Sequence, residues 1–357
     1  MNDQSKNLQQ HIQTAFENKT TCNIVGSGSK NFLGNACSAE ETVSTKDHTG
    51  IISYDASELV MTVRSGTRLK DIDAALAENN QSLPFEPPAF GDDATIGGTI
   101  ACNLSGPSRA YSGAARDFVL GAHIINGKGD DLHFGGQVMK NVAGYDASRL
   151  MAGAYGTLGL ILDVSLKVLP IAQTEITVKS ELPANTAIQT INELSAQNLP
   201  ITASCYFDNH LYIRLNSSEK NAKSVSQFIC KKISATEIDN SKAFWLSIKE
   251  QQHAFFDTEE PIVRLSLPAT TQALNFDGEQ LLEWGGALRW LKSDLNIKRI
   301  RQTIQQYEGH ASVFRNASSD SEFFHPLEPG IKQLHQRLKQ AFDPAGILNP
   351  GRLYKGL

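Results

Sequence analysis

Between Asp92 and Pro170 the chain alternates strand-like runs with single and paired glycines, among them Gly97-Gly98, Gly127-Lys128-Gly129, Gly135-Gly136 and Gly153-Ala154-Tyr155-Gly156-Thr157-Leu158-Gly159. Each glycine inside an ordered element costs up to about 1 kcal/mol relative to alanine. A segment that accepts this cost repeatedly either packs backbone on backbone or lets something flat and extended lie against its main chain. A second cluster upstream, Gly26-Ser27-Gly28-Ser29, tilts the balance towards a bound nucleotide-type cofactor.

The chain is 357 residues long, with 40% apolar and 20% charged residues, as in a globular protein. Its net charge of −5 argues against a nucleic-acid partner, which needs a basic face. The polar stretch Met1–Lys19 is not expected to act as a secretory signal, and Leu150–Leu162 is too short and glycine-rich to span a bilayer. The expectation is a cytoplasmic protein without a transmembrane segment. Five cysteines (22, 37, 102, 205 and 230) are scattered without a C-x-x-C pair, so no zinc ribbon or chain-encoded iron–sulfur cluster is expected. His123 and His133 flank the turn Gly127–Asp130. Symmetric pairing across that turn sets His133 opposite Ile124 and points His123 to the other face, so no metal site is expected.

Apolar spacing predicts a helix over Leu8–Asn18 and a strand Thr21–Val25 running into Gly26-Ser27-Gly28-Ser29-Lys30-Asn31. That loop fails the Walker pattern, because Lys30 lies between Ser29 and Asn31, and the Rossmann pattern, because Asn31 replaces a third glycine. It is either an anion nest of inward-turned N–H groups or a plain surface turn. Further along come strands Ile51–Tyr54 and Leu59–Arg64, a helix Leu69–Glu78, and a proline-fixed connector Leu83–Pro88. Thr95 can cap a helix beginning Ile96-Gly97-Gly98, whose glycines would present N–H groups at a positive helix end. A hairpin Phe118–Phe134, an ordered loop 135–146 and a strand Leu160–Val168 follow. After Pro170 glycine vanishes up to Asp277, and strands and helices alternate: Glu175–Ser180, Asn185–Gln197, Cys205–Phe207, Leu211–Leu215 and Glu219–Lys231. This predicts a second, α+β-layered domain. Trp284 and Trp290 are best read as core. The turn-rich tail after the helix Gly330–Phe342 is expected to dock.

The Gly26–Ser29 loop, the Ala94–Gly98 turn, Gly153–Ile161 and the tail Asp343-Pro344…Asn349-Pro350-Gly351 resemble the FAD-binding domain of the p-cresol methylhydroxylase/vanillyl-alcohol oxidase superfamily. More narrowly, Arg116–Gly121, Val138–Asp146 and Trp284–Lys292 resemble the FAD-binding subunits of bacterial glycolate oxidases. The resemblance implies an α+β fold: a two-subdomain FAD-binding domain over 1–171, a smaller α+β cap over 172–340, and a tail 341–357 docking back near the first. It implies an FAD whose pyrophosphate lies on the amides of Gly26, Ser27, Gly28 and Ser29, with Lys30 and Pro88 nearby. Thr95, Gly97, Gly98, Ala101, Asn103 and Gly106, and Gly156, Gly159 and Ile161, would flank the ribose and adenine, while Lys140 and Asn141 complete the cofactor set. Arg289 and Lys292 are candidate carboxylate binders for substrate, with a surface or inter-subunit salt bridge as the other reading.

The implied partners are a larger flavoprotein subunit and an iron–sulfur subunit, in an assembly that oxidises glycolate, and often D-lactate, and passes electrons to an acceptor such as quinone. Through them the chain would sit in the cytoplasm or at the periphery of the inner membrane. Two departures matter. Ser29 stands where covalent members carry a flavin-linking histidine, so the FAD is expected to be dissociable. The histidine-rich cap cluster of the larger subunit finds no match, which favours a redox subunit over a self-sufficient 2-hydroxy-acid dehydrogenase or an interaction subunit with a structural FAD site.

Overall fold

A computed structural model describes residues 2–136, 147–316 and 322–357. They form two compact units: residues 1–104, 114–170 and 326–357 in the first, and residues 105–113 and 171–325 in the second. The division after Pro170 matches the change in glycine content. The returning segment starts at Pro326 and so includes the whole last helix, and the short excursion 105–113 belongs to the second unit.

In the first unit, helix Ser5–Asn18 buries Leu8, Ile12 and Ala15, one turn apart on one face. They pack with Cys22, Val43, Ile125, Leu160, Leu162, Ile347 and Leu348. Complete burial of each such aliphatic side chain stabilises by about 1.5–3 kcal/mol. Strand Cys22–Val25 pairs in parallel with Glu41–Ser44. Beside this pair lies a five-stranded antiparallel sheet, in the order Ile51–Asp55, Val60–Arg64, Leu160–Lys167, Val119–Ile125, Asp131–Gly135. Met61, Val63, Ile124, Val164 and Leu166 join a core with Leu69, Ile72 and Leu76 of helix Leu69–Ala77, and with Ile96 and Ile100 of helix Ile96–Cys102.

The hairpin corrects one expectation. Its loop runs over five residues, Asn126–Asp130: the Asn126 amide donates to the Asp130 carbonyl, and the Asn126 Oδ1 accepts the amides of Lys128 and Asp130. Gly129, at φ +81°, supplies the left-handed residue the loop needs. One residue more than a symmetric four-residue turn shifts the register by one, and with period two that flips every facing pair. His123 therefore sits directly opposite His133, not on the other face.

The second unit is built on one eight-stranded antiparallel sheet, in the order Thr236–Glu237, Thr174–Glu181, His210–Ser217, Ile201–Phe207, Glu279–Glu283, Leu288–Lys292, Ile262–Ser266, His310–Arg315. Helix Ala184–Ser195 places Ala187, Ile188, Ile191 and Leu194 against Val178, Ile213 and Leu215. Ile300 and Ile304 of helix Ile297–Gln305 pack on Val263, Leu265 and Leu291. Trp284 and Trp290 are buried, the indole of the first donating to the Gly106 carbonyl at 3.0 Å and that of the second to the Glu283 carboxylate at 2.7 Å.

The last helix, Pro329–Phe342, is fastened to the first unit by a buried ion pair. The Lys339 ammonium donates to the Thr157 carbonyl (2.9 Å), the Leu348 carbonyl (2.7 Å) and the Asp343 carboxylate (2.8 Å). Asp343 in turn accepts the amides of Ile347 and Leu348. Burial pulls Lys339 below the usual lysine range, with Asp343 opposing the shift. Removing one partner of such a pair leaves a buried charge uncompensated, at a cost of about 3–5 kcal/mol. Asp343→Ala and Lys339→Met are each expected to lose about that much in urea unfolding of the first unit, and the double variant less than their sum, because each single change leaves one buried charge unpaired.

Candidate functional site

The sequence of the first unit builds a cleft at the end of strand Cys22–Val25. The loop Gly26–Asn31 leaves the strand there, the start of helix Ile96–Cys102 faces it, and the turn Tyr155–Gly159 closes one side. Of the expected cofactor residues, Gly26, Ser27, Gly28, Ser29, Lys30, Thr95, Gly97, Gly98, Ala101, Gly156, Gly159 and Ile161 line this cleft together.

Three glycines are there because nothing larger fits. A Cβ on Gly26 would lie 2.5 Å from Thr95 Oγ1, one on Gly97 2.6 Å from the Ser65 Cβ, and one on Gly156 2.6 Å from Asn349 Nδ2. Gly28 and Gly156 also hold φ of +82° and +72°, where L side chains are strained.

The two glycine-dense turns are not equivalent as donors. The Gly97 amide is spent on the Ser65 carbonyl at 2.8 Å, and the Gly98 amide on the capping Thr95 hydroxyl at 3.4 Å. The expectation that this helix end presents free N–H groups is therefore corrected; its glycines serve close approach. By contrast, among the described residues the amides of Gly26, Ser27, Gly28 and Ser29 meet no protein acceptor. Lys30, 6% exposed, holds its ammonium beside them, donating to the Ala89 carbonyl at 3.2 Å and the Ser29 hydroxyl at 3.4 Å. The buried Ser65 hydroxyl also lines the cleft without a hydrogen-bond partner among the described residues. Successive unspent amides, a buried cation and an orphaned hydroxyl make a receptor for an extended, hydrogen-bonding anion.

The remaining ionisable groups fit that reading. Arg352 lines the cleft as a second cation, and no histidine, aspartate or glutamate is among the described lining residues. Burial pushes the Cys102 thiol up to about 11, so it stays protonated and unreactive at neutral pH.

Several lining residues were not among the site residues expected from the sequence, although some stand in the motifs that were: Asn23, Ile24, Val25, Asn31, Thr45, Ser65, Cys102, Tyr155, Asn349 and Arg352. Asn349 accepts the Ile24 amide (2.6 Å) and donates to the Tyr155 carbonyl (2.6 Å), while Arg352 donates to the carbonyls of Asn31 (3.1 Å) and Asn35 (3.0 Å). The turn-rich tail is thus a brace for the loop. Its own asparagine and arginine, rather than its prolines, make the contacts.

Other expected residues stand elsewhere. Pro88 is not among the lining residues, and Asn103 ends its helix with its side chain accepting the Arg116 amide. Gly106 lies in the second unit, its carbonyl taken by Trp284. Lys140 and Asn141 fall outside the described residues. The substrate role for Arg289 is corrected too, while Lys292 takes the salt-bridge reading. Arg289 is fully buried and its guanidinium donates to the carbonyls of Gly286, Gln272 and Thr271, which leaves it fastening a loop. Lys292 is paired with Glu279 at 2.9 Å.

Comparisons with known proteins agree with this geometry. A family described as FAD binding domain matches residues 3–135, and one described as FAD linked oxidases, C-terminal domain, matches residues 328–353, which contain the last helix and the brace. The chain is 44% identical, over 99% of both chains, to the glycolate oxidase subunit GlcE of Escherichia coli K12. It is 32% identical to the glycolate oxidase subunit GlcD of Bacillus subtilis 168, over 50% of this chain and 38% of that one. The solved structure of an alkyldihydroxyacetonephosphate synthase superposes with a TM-score of 0.68 at 15% identity, covering 97% of this chain and 74% of the other, a likeness of fold alone.

Asn349 holds a left-handed φ of +43° and satisfies one amide and one carbonyl with its side chain. Asn349→Ala leaves both unpaired in a half-buried place, at about 1–3 kcal/mol each. The expected outcome is a loss of about 2–6 kcal/mol in chemical unfolding, with hydrogen exchange at Ile24 accelerated before global unfolding.

Proposed function

The chain belongs to the FAD-linked oxidase family that includes the glycolate oxidase subunit GlcE, and on that premise we propose that it is the FAD-holding redox subunit of a glycolate-oxidising assembly. One observation of the chain itself supports the reading most: the four unspent amides of Gly26–Ser29, beside a buried lysine. A diphosphate bridge is the part of FAD that such a nest accepts.

In this reading the amides of Gly26, Ser27, Gly28 and Ser29 and the Lys30 ammonium hold the pyrophosphate. Ser65 gives its hydroxyl to a polar group of the cofactor. Gly97, Gly98, Ala101, Gly156, Gly159 and Ile161 supply a small-residue wall against which the nucleotide lies. Bound FAD supplies two-electron acceptance and one-electron release, chemistry that no side chain offers. The chain's part is to bind, orient and electrostatically tune that group. Ser29 has no imidazole with which to form a covalent link, so the cofactor is dissociable.

The described lining residues include two cations and no general base, which suits holding a cofactor better than abstracting a proton from a hydroxy acid. We therefore place the chain beside a larger flavoprotein subunit and an iron–sulfur subunit, with glycolate, and D-lactate as a related substrate, oxidised by the assembly. Among the described residues no helix is long and apolar enough to cross a membrane, so any membrane association would be peripheral, through those partners.

The absorption spectrum of the purified chain tests this. It is expected to show bound flavin that stays oxidised with anaerobic glycolate and bleaches only when the partner subunits are added, and acid precipitation should release FAD to the supernatant. Bleaching of the isolated chain would instead make it a self-sufficient dehydrogenase, and a chain that cannot take up FAD would overturn the proposal. Gly28→Val, which forces a β-branched residue to φ +82°, is expected to weaken FAD retention at least tenfold, or about 1.4 kcal/mol.

A further inference from the structure

Away from the cleft, the corrected hairpin register gathers four ionisable side chains across three strands of the five-stranded sheet. His123 lies opposite His133 on one side and opposite Asp163 on the other. Asp131, two residues before His133 on the same strand, points to the same face. His123 Nδ1 is 2.8 Å from Asp163 Oδ2, and its Nε2 is 2.7 Å from Asp131 Oδ1. His133 Nε2 is 3.4 Å from the same Asp131 oxygen, and the two imidazoles stack with centroids 3.7 Å apart. Ligand atoms of His123, Asp131 and His133 all lie within 4.8 Å of one another.

We propose that His123, Asp131 and His133 bind a borderline divalent transition ion of the Zn²⁺ class, with Asp163 orienting His123. Two imidazoles and one carboxylate are the donor set such ions prefer over Mg²⁺ or Ca²⁺. The arrangement has the feature that separates a ligand histidine from an ordinary one: its other ring nitrogen is held by a carboxylate, which fixes the ring and leaves Nε2 for the ion. Tetrahedral bonds of about 2.0–2.1 Å require donor atoms roughly 3.3 Å apart. The His133–Asp131 separation already meets that, and the His123–Asp131 contact must open by about 0.6 Å. His133 is exposed and can turn out of its stack to aim its lone pair at the ion. Water fills the fourth position, on the exposed side.

Without the ion, a proton takes its place. A carboxylate oxygen lies at hydrogen-bond distance from each ring nitrogen of His123, so a proton on Nε2 is shared with Asp131. Arg64 stands opposite Asp163 on the next strand but gives its guanidinium to Asp3 at 2.9 Å. Binding is then an exchange: the ion forms bonds to two nitrogens and one oxygen, and the His123 Nε2 proton leaves to solvent. Nothing is oxidised or reduced.

The test uses the full chain as purified, stripped with a chelator and desalted, then titrated with Zn²⁺ against a chromophoric competitor. One equivalent taken up at pH 7, with about one proton released, is the expected result. His133→Ala, at an exposed position that leaves the fold intact, should weaken uptake at least tenfold. Asp163→Asn, which touches no ion, should weaken it about 10–100-fold. No uptake at 100-fold excess of ion over protein, or equal uptake by the parent chain and His133→Ala, overturns the proposal. The second result would assign the ion to the cysteine thiols or to other histidines.

Discussion

Four consecutive backbone amides without a protein acceptor among the described residues are an unusual arrangement in a folded chain. Each unpaired N–H withdrawn from water costs about 1–3 kcal/mol, and a glycine-rich loop can relieve that cost by collapsing on itself. The loop Gly26–Asn31 is kept from doing so from outside. Arg352 holds the carbonyls of Asn31 and Asn35, Asn349 holds the Ile24 amide just before the loop, and Thr95 packs against Gly26. The Lys339–Asp343 pair fixes the turn from which Asn349 and Arg352 project. The conformation of residues near the start of the chain is thus set by residues near its end, and the cleft exists only once both have folded together.

That dependence explains what the sequence revealed and what it concealed. The glycines were legible because close approach and left-handed φ leave a residue-type signature, and Gly26, Gly28, Gly97 and Gly156 all meet in the cleft. What a glycine is for was less legible. Gly97 was expected to free an amide, and instead it lets Ser65 come close enough to consume that amide. Asn349 and Arg352 act over more than 300 residues of sequence, and a polar contact at that distance has no periodicity to betray it. Apolar periodicity did locate the helices Ser5–Asn18, Leu69–Ala77 and Glu219–Ile233. It could not order the eight strands of the second sheet, whose neighbours are largely non-sequential. The hairpin failed on a single residue: Asn126 folds its own side chain into the loop, and no pattern in the flanking strands announces it.

Charge was the least transferable signal. Arg289 and Lys292 sit in a segment whose polar residues suggested a carboxylate site, yet Arg289 is fully buried and bonded to three carbonyls. Trp284, Gly285 and Gly286 all take left-handed φ, and the guanidinium, with five donors, ties the Gly286 carbonyl of that turn to the Thr271 and Gln272 carbonyls of a second loop. An arginine chosen to repair a strained loop looks, in sequence, like an arginine chosen to bind an anion. Only the count of its acceptors separates them.

The same accounting bears on where the chemistry of the assembly would occur. Oxidising a 2-hydroxy acid requires removal of a hydroxyl proton as well as two electrons, so a reactive pocket needs a base near neutral pH. The cleft offers Lys30 and Arg352 as cations, neutral amides and hydroxyls, and a thiol that burial keeps protonated. The described lining residues include neither a carboxylate nor an imidazole. That set is complementary to a diphosphate and ill-suited to deprotonation, because its cations stabilise an anion already formed without accepting a proton. Such a lining suits a cleft that holds and tunes a flavin. Any base that takes the substrate's proton would have to stand outside these described lining residues.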